Sequence, residues 1–234
     1  LRDKLGELAA CGVDQCVVLP FNAAFAAQAP DAFIRDVLVQ GLGVKYVLVG
    51  DDFRFGAKRA GDYAMLDAAG AASGFDVARM NSYEVRGLRV SSSAVREALN
   101  QGRMDDAAAL LGRPYSISGH VVHGRKLGRE LGRDANRPDG FRTLNLRFAH
   151  WKPAASGIFA VRVHGLGLPL AGVANLGIRP SLDPQDVNGG RVLLETHCLD
   201  WPDALGPEGA YGKIIRVELL HKLHDERKYD SLEA

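Results

Sequence analysis

The chain has 234 residues, 47% of them hydrophobic, which is enough to bury one large core or two modest ones. Its net charge is +1, with 29 Lys and Arg against 28 Asp and Glu, so the overall charge points neither to nucleic acid nor to a membrane surface. Three cysteines without a CxxC pair argue against a disulfide framework and a zinc site and fit a reducing cytoplasm, and no apolar run approaches the roughly 20 residues of a membrane span.

The first half of the chain alternates helical and strand patterns. Helical spacing starts at once in residues 1–10, without an initiating Met, so we expect a fragment of a longer protein. Apolar runs at 16–20 and 46–50 predict strands, the second of them a parallel strand buried on both faces. Further helices are predicted at 31–40, 61–73, 91–101 and 104–111. Residues 1–111 are therefore predicted to form an α/β domain with a mostly parallel sheet.

The pattern changes after residues 112–114, where short β-rich runs separated by Gly and Pro replace the helical spacing. Apolar and charged residues alternate with period 2 in 215–219, as in a half-buried strand. Strands are predicted at 115–123, 157–163, 170–178, 191–199 and 213–220. Regular short strands with turn signals predict a closed antiparallel barrel over residues 112–234.

Glycine and basic residues are concentrated between the first two runs of this half. Gly124, Gly128 and Gly132 are spaced so that backbone N–H groups can approach an anion closely. Residues 113–147 hold eight Lys or Arg against three acids, which predicts a phosphate-rich ligand. A solvated hairpin loop is the structural alternative. RNA binding is a lower-ranked alternative, because such barrels usually add exposed aromatic side chains for base stacking.

Residues 110–132 (LLGRPYSISGHVVHGRKLGRELG) resemble the opening of the riboflavin kinase module. In that family the segment continues into a Phe-Pro-Thr-Ala-Asn stretch, whereas here residues 133–140 (RDANRPDG) are inserted before Phe-Arg-Thr-Leu-Asn at 141–145. The resemblance implies that ATP and its phosphates are bound by Gly124, Lys126, Gly128, Arg129, Gly132, Thr143 and Asn145. It also implies that Thr143 is a ligand of Mg²⁺. The insertion leaves open a non-catalytic protein that binds flavin nucleotides without seating Mg·ATP.

A lone carboxylate, Glu195, interrupts the apolar strand predicted at 191–199. Alternation groups it with Leu193 and His197, so an outward-facing surface residue is one interpretation. In the riboflavin kinase family the matching carboxylate accepts the proton of the terminal ribityl hydroxyl of the flavin, and the resemblance implies that role here. The flavin contacts that it implies elsewhere on the barrel and in the closing segment are Asn175, Arg179 and Arg227.

Two motifs of the first half resemble the FMN adenylyltransferase domain that precedes this kinase in bacteria. They are GDDFRFG at 50–56 and RVSSSAVR at 89–96. Read alone, they are a solvated acidic turn and a helix cap. The resemblance places Asp52, Phe53 and Phe55 near flavin or adenine, and Ser92, Ser93 and Arg96 at the ATP phosphates. All seven His lie in the second half, so the family's early His-x-x-His motif is missing, and we expect impaired adenylyl transfer if Leu1 is the true start.

Together these motifs resemble the bifunctional bacterial riboflavin kinase/FAD synthetase family. The resemblance implies a Rossmann-like nucleotidyltransferase part over residues 1–111 and a riboflavin kinase-type antiparallel barrel over 112–234. It implies a cytoplasmic enzyme that phosphorylates riboflavin to FMN and, as the second activity of the parent enzyme, converts FMN to FAD. ATP is the implied co-substrate and Mg²⁺ the implied cofactor. We expect no nucleic-acid or membrane partner, and no sequence feature indicates an oligomeric state.

Overall fold

The structure is a computed structural model that describes residues 1–123, 143–148, 153–178, 192–206 and 208–226. Contacts divide the chain into two compact units, Leu1–Glu84 and Val85–Ala234. Within the described residues, no helix combines the length and the apolar composition that would let it cross a membrane.

Helices are concentrated in the first half of the chain and strands in the second. The helices are α1 Arg2–Ala10, α2 Ala23–Ala26, α3 Pro30–Phe33, which continues as a π-helical segment Ile34–Gly41, α4 Tyr63–Ser73, α5 Ser92–Asn100 and α6 Met104–Leu111. The strands are β1 Tyr46–Gly50, β2 Asp76–Met80, β3 Glu84–Val85, β4 Leu88–Arg89, β5 Tyr115–Val122, β6 Leu144–Arg147, β7 Gly157–His164, β8 Leu170–Ile178, β9 Val192–Cys198 and β10 Ile214–His224. Single 3₁₀ turns lie at Ala57–Arg59 and Asp203–Leu205.

The first unit is built around one parallel strand pair, β1 and β2, with α4 as the connecting helix. The helix α4 begins where the Asp62 carboxylate accepts a hydrogen bond from the Met65 N–H at 3.0 Å, and it ends at Gly74, whose φ of +79° is left-handed. The core of the unit consists of Ile34, Val49, Phe55, Leu66 and Phe75. The α/β character predicted for this region is confirmed.

Two strand expectations for this unit are corrected. Residues 16–20 form no strand, and Val17 and Val18 are 57% and 54% exposed, because no neighbouring strand among the described residues offers them backbone partners. The strand β1 is present but is not buried on both faces, since Tyr46 and Leu48 are exposed. The sequence interpretation also missed β2, in which charged residues break the apolar run.

The second unit contains the predicted closed antiparallel barrel. Among the described residues its strands follow the order β10-β5-β6-β9-β8-β7, and every neighbouring pair is antiparallel. Alternate residues of each strand point into one apolar core, which includes Ile117, Phe159, Leu176, Leu194 and Val217. The barrel type predicted from the sequence is confirmed, although β6 was missed and β10 extends four residues beyond the predicted end at 220.

Helices α5 and α6 pack against the barrel core. Ala98 and Leu99 of α5, and Met104 and Ala107 of α6, belong to the same buried cluster as the barrel residues. Contacts therefore divide the chain at residue 84, whereas the change of sequence pattern divides it at residue 111. The domain boundary at 111/112 remains a prediction about sequence domains.

Candidate functional site

A row of three polar side chains crosses three neighbouring strands of the barrel. Asn145 of β6 is the register partner of Glu195 in β9, and Glu195 is in turn the register partner of Asn175 in β8. Directly opposed residues in an antiparallel pair have Cβ atoms about 4.5–5.5 Å apart, so each carboxamide lies within side-chain reach of the carboxylate. The fold thus places Glu195 between two amides contributed by distant parts of the chain.

The row lies on the outer face of the barrel. Leu194 and Thr196, the chain neighbours of Glu195, are fully buried, and so are the neighbours of Asn145 and Asn175 in their own strands. Glu195 therefore points outward, as alternation had allowed, yet it is half-buried, and Asn145 is only 8% exposed. An outward-facing polar row with so little exposure is not a solvated strand face.

One atom of this row lacks a hydrogen-bond partner. The side-chain oxygen Oδ1 of Asn175 is buried and has no partner in the described structure, and the same holds for the Thr196 hydroxyl inside the barrel. An unsatisfied buried polar atom costs stability, of the order of 1–3 kcal/mol. A buried acceptor on the face that carries Glu195 is suited to a ligand that brings a hydrogen-bond donor.

The side chain of Glu226, an exposed residue, lies against the backbone of Gly177 on the same face. A Cβ atom added to Gly177 of β8 would overlap the carboxylate of Glu226, which lies just beyond the end of β10. Gly177 and Asn175 are two residues apart in β8, so the absent side chain of Gly177 belongs to the face of the row. Sequence reasoning did not single out Glu226, although the segment that contains it resembles the closing segment of the riboflavin kinase family. A second signal was a glycine inside a strand pattern, which often marks a close approach.

The first unit gathers two loops at the carboxyl ends of its parallel strands, where ligands bind in α/β sheets. Asp51 follows β1 and Ser82 follows β2, and the Ser82 hydroxyl donates to the Asp51 carboxylate at 3.1 Å. Asp52, next to this contact, is exposed. The loop of the GDDFRFG motif is therefore held beside the end of β2.

The two aromatic residues of that motif occupy different environments. Phe55 is 7% exposed, belongs to the core and exchanges two backbone hydrogen bonds with Gly61. Phe53 is half-buried and stacks on Phe55 with the ring centroids 5.5 Å apart. Of the two rings, Phe53 is thus the one with surface available to a ligand, and Phe55 supports it from below.

The RVSSSAVR motif forms the start of α5. Ser91 is the N-cap, and its hydroxyl accepts a hydrogen bond from the Ala94 N–H at 3.1 Å. Ser92 and Ser93 are the first two helical residues, and both are exposed, as is Arg96 one turn further on. Ser91 therefore caps the helix, while Ser92 and Ser93 leave the helix N-terminus exposed. An exposed helix N-terminus favours anions.

Family comparisons agree with both halves of this description. A profile described as FAD synthetase matches residues 1–94, and one described as Riboflavin kinase matches residues 111–234, more than half of the chain. The Escherichia coli (strain K12) protein named bifunctional riboflavin kinase/FMN adenylyltransferase is 44% identical over 234 residues, which are 100% of this chain and 69% of that protein. This chain belongs to the bifunctional riboflavin kinase/FMN adenylyltransferase family. The protein of that name from Haemophilus influenzae is 40% identical, over 100% of this chain and 70% of its own length.

Among solved structures, one described as "Crystal Structure of Macrolide-efflux Protein from Streptococcus pneumoniae" matches with a TM-score of 0.76 and 24% identity, covering 99% of this chain and 69% of that one. At this identity the match supports the fold alone. The nucleotidyltransferase-like part followed by a six-stranded barrel is thus the architecture expected for a member of the bifunctional family.

Several residues predicted as contacts of the bifunctional family lie outside the described residues. They are Gly124, Lys126, Gly128, Arg129, Gly132, Arg179 and Arg227, and the insertion at 133–140 lies there too. Thr143, by contrast, is described: it is half-buried and directly precedes β6, two residues before Asn145. The roles of all these residues in ligand binding remain predictions.

A separate cleft of about 320 Å³ opens between the α5–α6 turn and β10. Arg103, Asp105, His221 and Lys222 are among the residues that line it, and none of the predicted site residues that the structure describes does. Its Arg103 and Asp106 form an ion pair with each other. The cleft is therefore distinct from the Asn145–Glu195–Asn175 row and is given no role in the family's chemistry.

Proposed function

We propose that this chain transfers the γ-phosphoryl group of ATP to riboflavin on the outer face of its barrel and so makes FMN. The single observation that carries the assignment is the cross-strand row in which Glu195 stands between Asn145 and Asn175. Family membership supplies the substrates, and the row supplies one carboxylate and two amides at a place with little exposure. A domain boundary at 111/112 belongs to the same proposal.

In the proposed reaction Glu195 accepts the proton of the terminal ribityl hydroxyl as that oxygen attacks the γ-phosphorus. The new oxygen–phosphorus bond forms, the bond to the β-phosphate oxygen breaks, and ADP leaves. Phosphoryl transfer depends mainly on positioning and charge neutralisation, so the amides on either side act by fixing the carboxylate and the attacking oxygen. A general base in this position contributes about 10²–10⁴-fold to the rate.

Mg²⁺ is part of the proposal, and the donor atoms near Glu195 suit it. The Thr143 hydroxyl, the Asn145 carboxamide oxygen and a carboxylate are hard oxygen ligands of the kind that Mg²⁺ prefers. When bound, Mg²⁺ would neutralise phosphate charge. Asn145→Ala should raise the Mg²⁺ concentration needed for half-maximal rate several-fold, whereas an unchanged Mg²⁺ dependence would argue against Asn145 as part of that site.

The direct test incubates the chain with riboflavin, ATP and Mg²⁺ and measures FMN and ADP. Glu195→Gln should lower turnover at least 100-fold and leave riboflavin affinity nearly unchanged, because the two side chains have the same shape. Glu208→Gln, an exposed glutamate of the same unit, is the matched control and should keep the wild-type rate. Full activity of Glu195→Gln would show that another group is the base. Tight flavin binding without FMN formation would favour the non-catalytic binder.

Conversion of FMN to FAD is the second proposed activity, assigned to the parent enzyme through residues 1–94. Its support is the loop pair at the carboxyl ends of β1 and β2, with Asp52 and Phe53, and the helix start at Ser92 and Ser93 with Arg96. Pyrophosphate release from FMN and ATP measures this activity. Brisk release by this chain would contradict the expectation that adenylyl transfer needs the His-x-x-His motif.

We also propose a cytoplasmic location. Its support is the cysteine usage, since Cys11, Cys16 and Cys198 are all free and unpaired thiols fit a reducing compartment.

A further inference from the structure

Two consecutive basic residues in the loop after β1 have left-handed backbone angles. Lys58 and Arg59 have φ values of +53° and +58°. A residue with a side chain incurs a steric cost in this region, because its Cβ comes too close to the following carbonyl oxygen, and only glycine adopts such angles freely. Backbone strain of this kind persists only where the surrounding structure imposes it, and it is concentrated at functional sites.

Backbone hydrogen bonds hold this loop in its strained conformation. Phe55 and Gly61 exchange two of them, of 3.2 Å and 2.9 Å, and so close the loop 56–60 at its base. The Ala57 N–H donates to the Gln28 carbonyl oxygen at 2.8 Å and so attaches one side of the loop to the segment between α2 and α3. The two basic residues therefore stand on a backbone that is fixed before any ligand binds.

The positive charges of this basic pair are not neutralised within the described part of the chain. Lys58 and Arg59 are both exposed, and neither side chain has a hydrogen bond or an ion pair with any residue that the structure describes. The other cation of the loop, Arg54, is ion-paired with Asp62 at 3.1 Å. Two cations of the loop are therefore available to an anionic ligand.

The loop lies where a ligand is expected. It follows the carboxyl end of β1, and ligands bind at that edge of an α/β sheet. It also lies within residues 1–94, which match the FAD synthetase profile. The same loop carries Phe53, whose half-buried ring stacks on Phe55. Two cations and an accessible aromatic ring in one loop suit a ligand that combines a flat ring with phosphate.

We propose that Lys58 and Arg59 bind a phosphate group of a nucleotide substrate of the first unit. This assignment rests on the proposed conversion of FMN to FAD and adds two residues to the site of that reaction. FMN and ATP both carry phosphate, and the recognised chemistry is the same in both, since phosphate oxygens accept hydrogen bonds from an ammonium and a guanidinium group. Glycines at these positions would relieve the strain but would remove both charges.

The test follows the backbone amide NMR signals of residues 57–61 while ligand is added to the full chain. FMN is compared with riboflavin, and ATP with adenosine, because the members of each pair differ only in phosphate. The dissociation constant reported by these signals should be at least about tenfold lower for FMN than for riboflavin, or for ATP than for adenosine. A preference for FMN alone identifies the flavin phosphate as the ligand, and one for ATP alone identifies the triphosphate.

The double substitution Lys58→Gly with Arg59→Gly should abolish this preference, weakening the phosphate-bearing ligand at least about tenfold. It should not lower the melting temperature, because glycine adopts left-handed angles without steric cost. Lys58→Asn with Arg59→Asn is a second uncharged pair, since Asn also tolerates this region. Arg2→Gln with Lys45→Gln is the matched control: it removes two exposed cations of the same unit and should leave the dissociation constants unchanged.

Three results would overturn the proposal. They are equal affinity for the two members of both ligand pairs, an unchanged phosphate preference in the uncharged variants, and an equal loss in the control. Failure of the proposed adenylyl transfer shows separately, as an absence of pyrophosphate release from FMN and ATP, because the binding comparison does not depend on turnover.

Discussion

The hydroxyl of Thr196 should weaken the barrel rather than support it. Thr196 is 0% exposed and lies in the barrel interior, between its register partners Leu144 of β6 and Ala174 of β8. Its Oγ1 has no hydrogen-bond partner among the residues that the structure describes. Thr196→Val replaces the hydroxyl by a methyl group of similar size, so it removes an unsatisfied polar atom without creating a cavity.

The expected gain in the free energy of unfolding follows from the cost of burying a hydroxyl without a hydrogen-bond partner. An unpaired buried hydroxyl costs about 1–3 kcal/mol in mutational data, so Thr196→Val should raise the free energy of unfolding by at least about 1 kcal/mol. With a urea m value of about 1–3 kcal/mol/M, a gain of 1 kcal/mol raises the unfolding midpoint by roughly 0.3–1 M. Tryptophan fluorescence reports on the correct unit, because Trp201 packs against the barrel core.

Val217→Thr is the matched control. Val217 is also 0% exposed inside the barrel, so the new hydroxyl should lower the free energy of unfolding by about 1–3 kcal/mol. FMN formation by Thr196→Val should stay at the wild-type rate, since Thr196 and Glu195 point to opposite faces of β9. A loss of 1 kcal/mol or more in Thr196→Val would refute the reasoning and show that the hydroxyl is satisfied, for instance by a buried water.

Three further outcomes are expected. Ser91→Ala should lower the stability of α5 by about 1 kcal/mol through loss of its N-cap, whereas Ser92→Ala should change stability by less than about 0.5 kcal/mol; equal effects in urea melts would contradict the capping role. Ellman's reagent at pH 8 should titrate exposed Cys11 and Cys16 quickly but Cys198 only after unfolding, because burial raises the pKa of Cys198 to about 11; three fast thiols would contradict this. The hydrogen bond from the Met65 N–H and the ion pair with Arg54 lower the pKa of Asp62. The ionised Asp62 carboxylate therefore stabilises the folded state at pH values above the usual carboxyl pKa, and this stabilisation is lost as the pH falls through the lowered pKa. Asp62→Asn should therefore flatten the acid unfolding curve of the first unit, and an unchanged curve would exclude Asp62 as its source.

The sequence identified the elements whose pattern is local. The strands predicted at 115–123, 170–178 and 191–199 reappear as β5, β8 and β9, and the helix predicted at 104–111 is α6. Their hydrophobic spacing is read within one element and needs no partner. The strand expected at 16–20 was wrong. An apolar run becomes a strand only where a neighbouring strand supplies backbone hydrogen bonds, and that depends on more than one element.

By itself, the sequence determined the fold class and the family, and it predicted residues of the site. Motifs of consecutive residues carry that information, as Glu195 in its apolar strand and the serines at 91–93 do. Only the tertiary structure decided that Asn145 and Asn175 stand on either side of Glu195, because the barrel register pairs Glu195 with residues that are 50 and 20 positions away in the sequence. It also brought Glu226 against Gly177, a contact between the segment after β10 and a strand interior that no local pattern encodes.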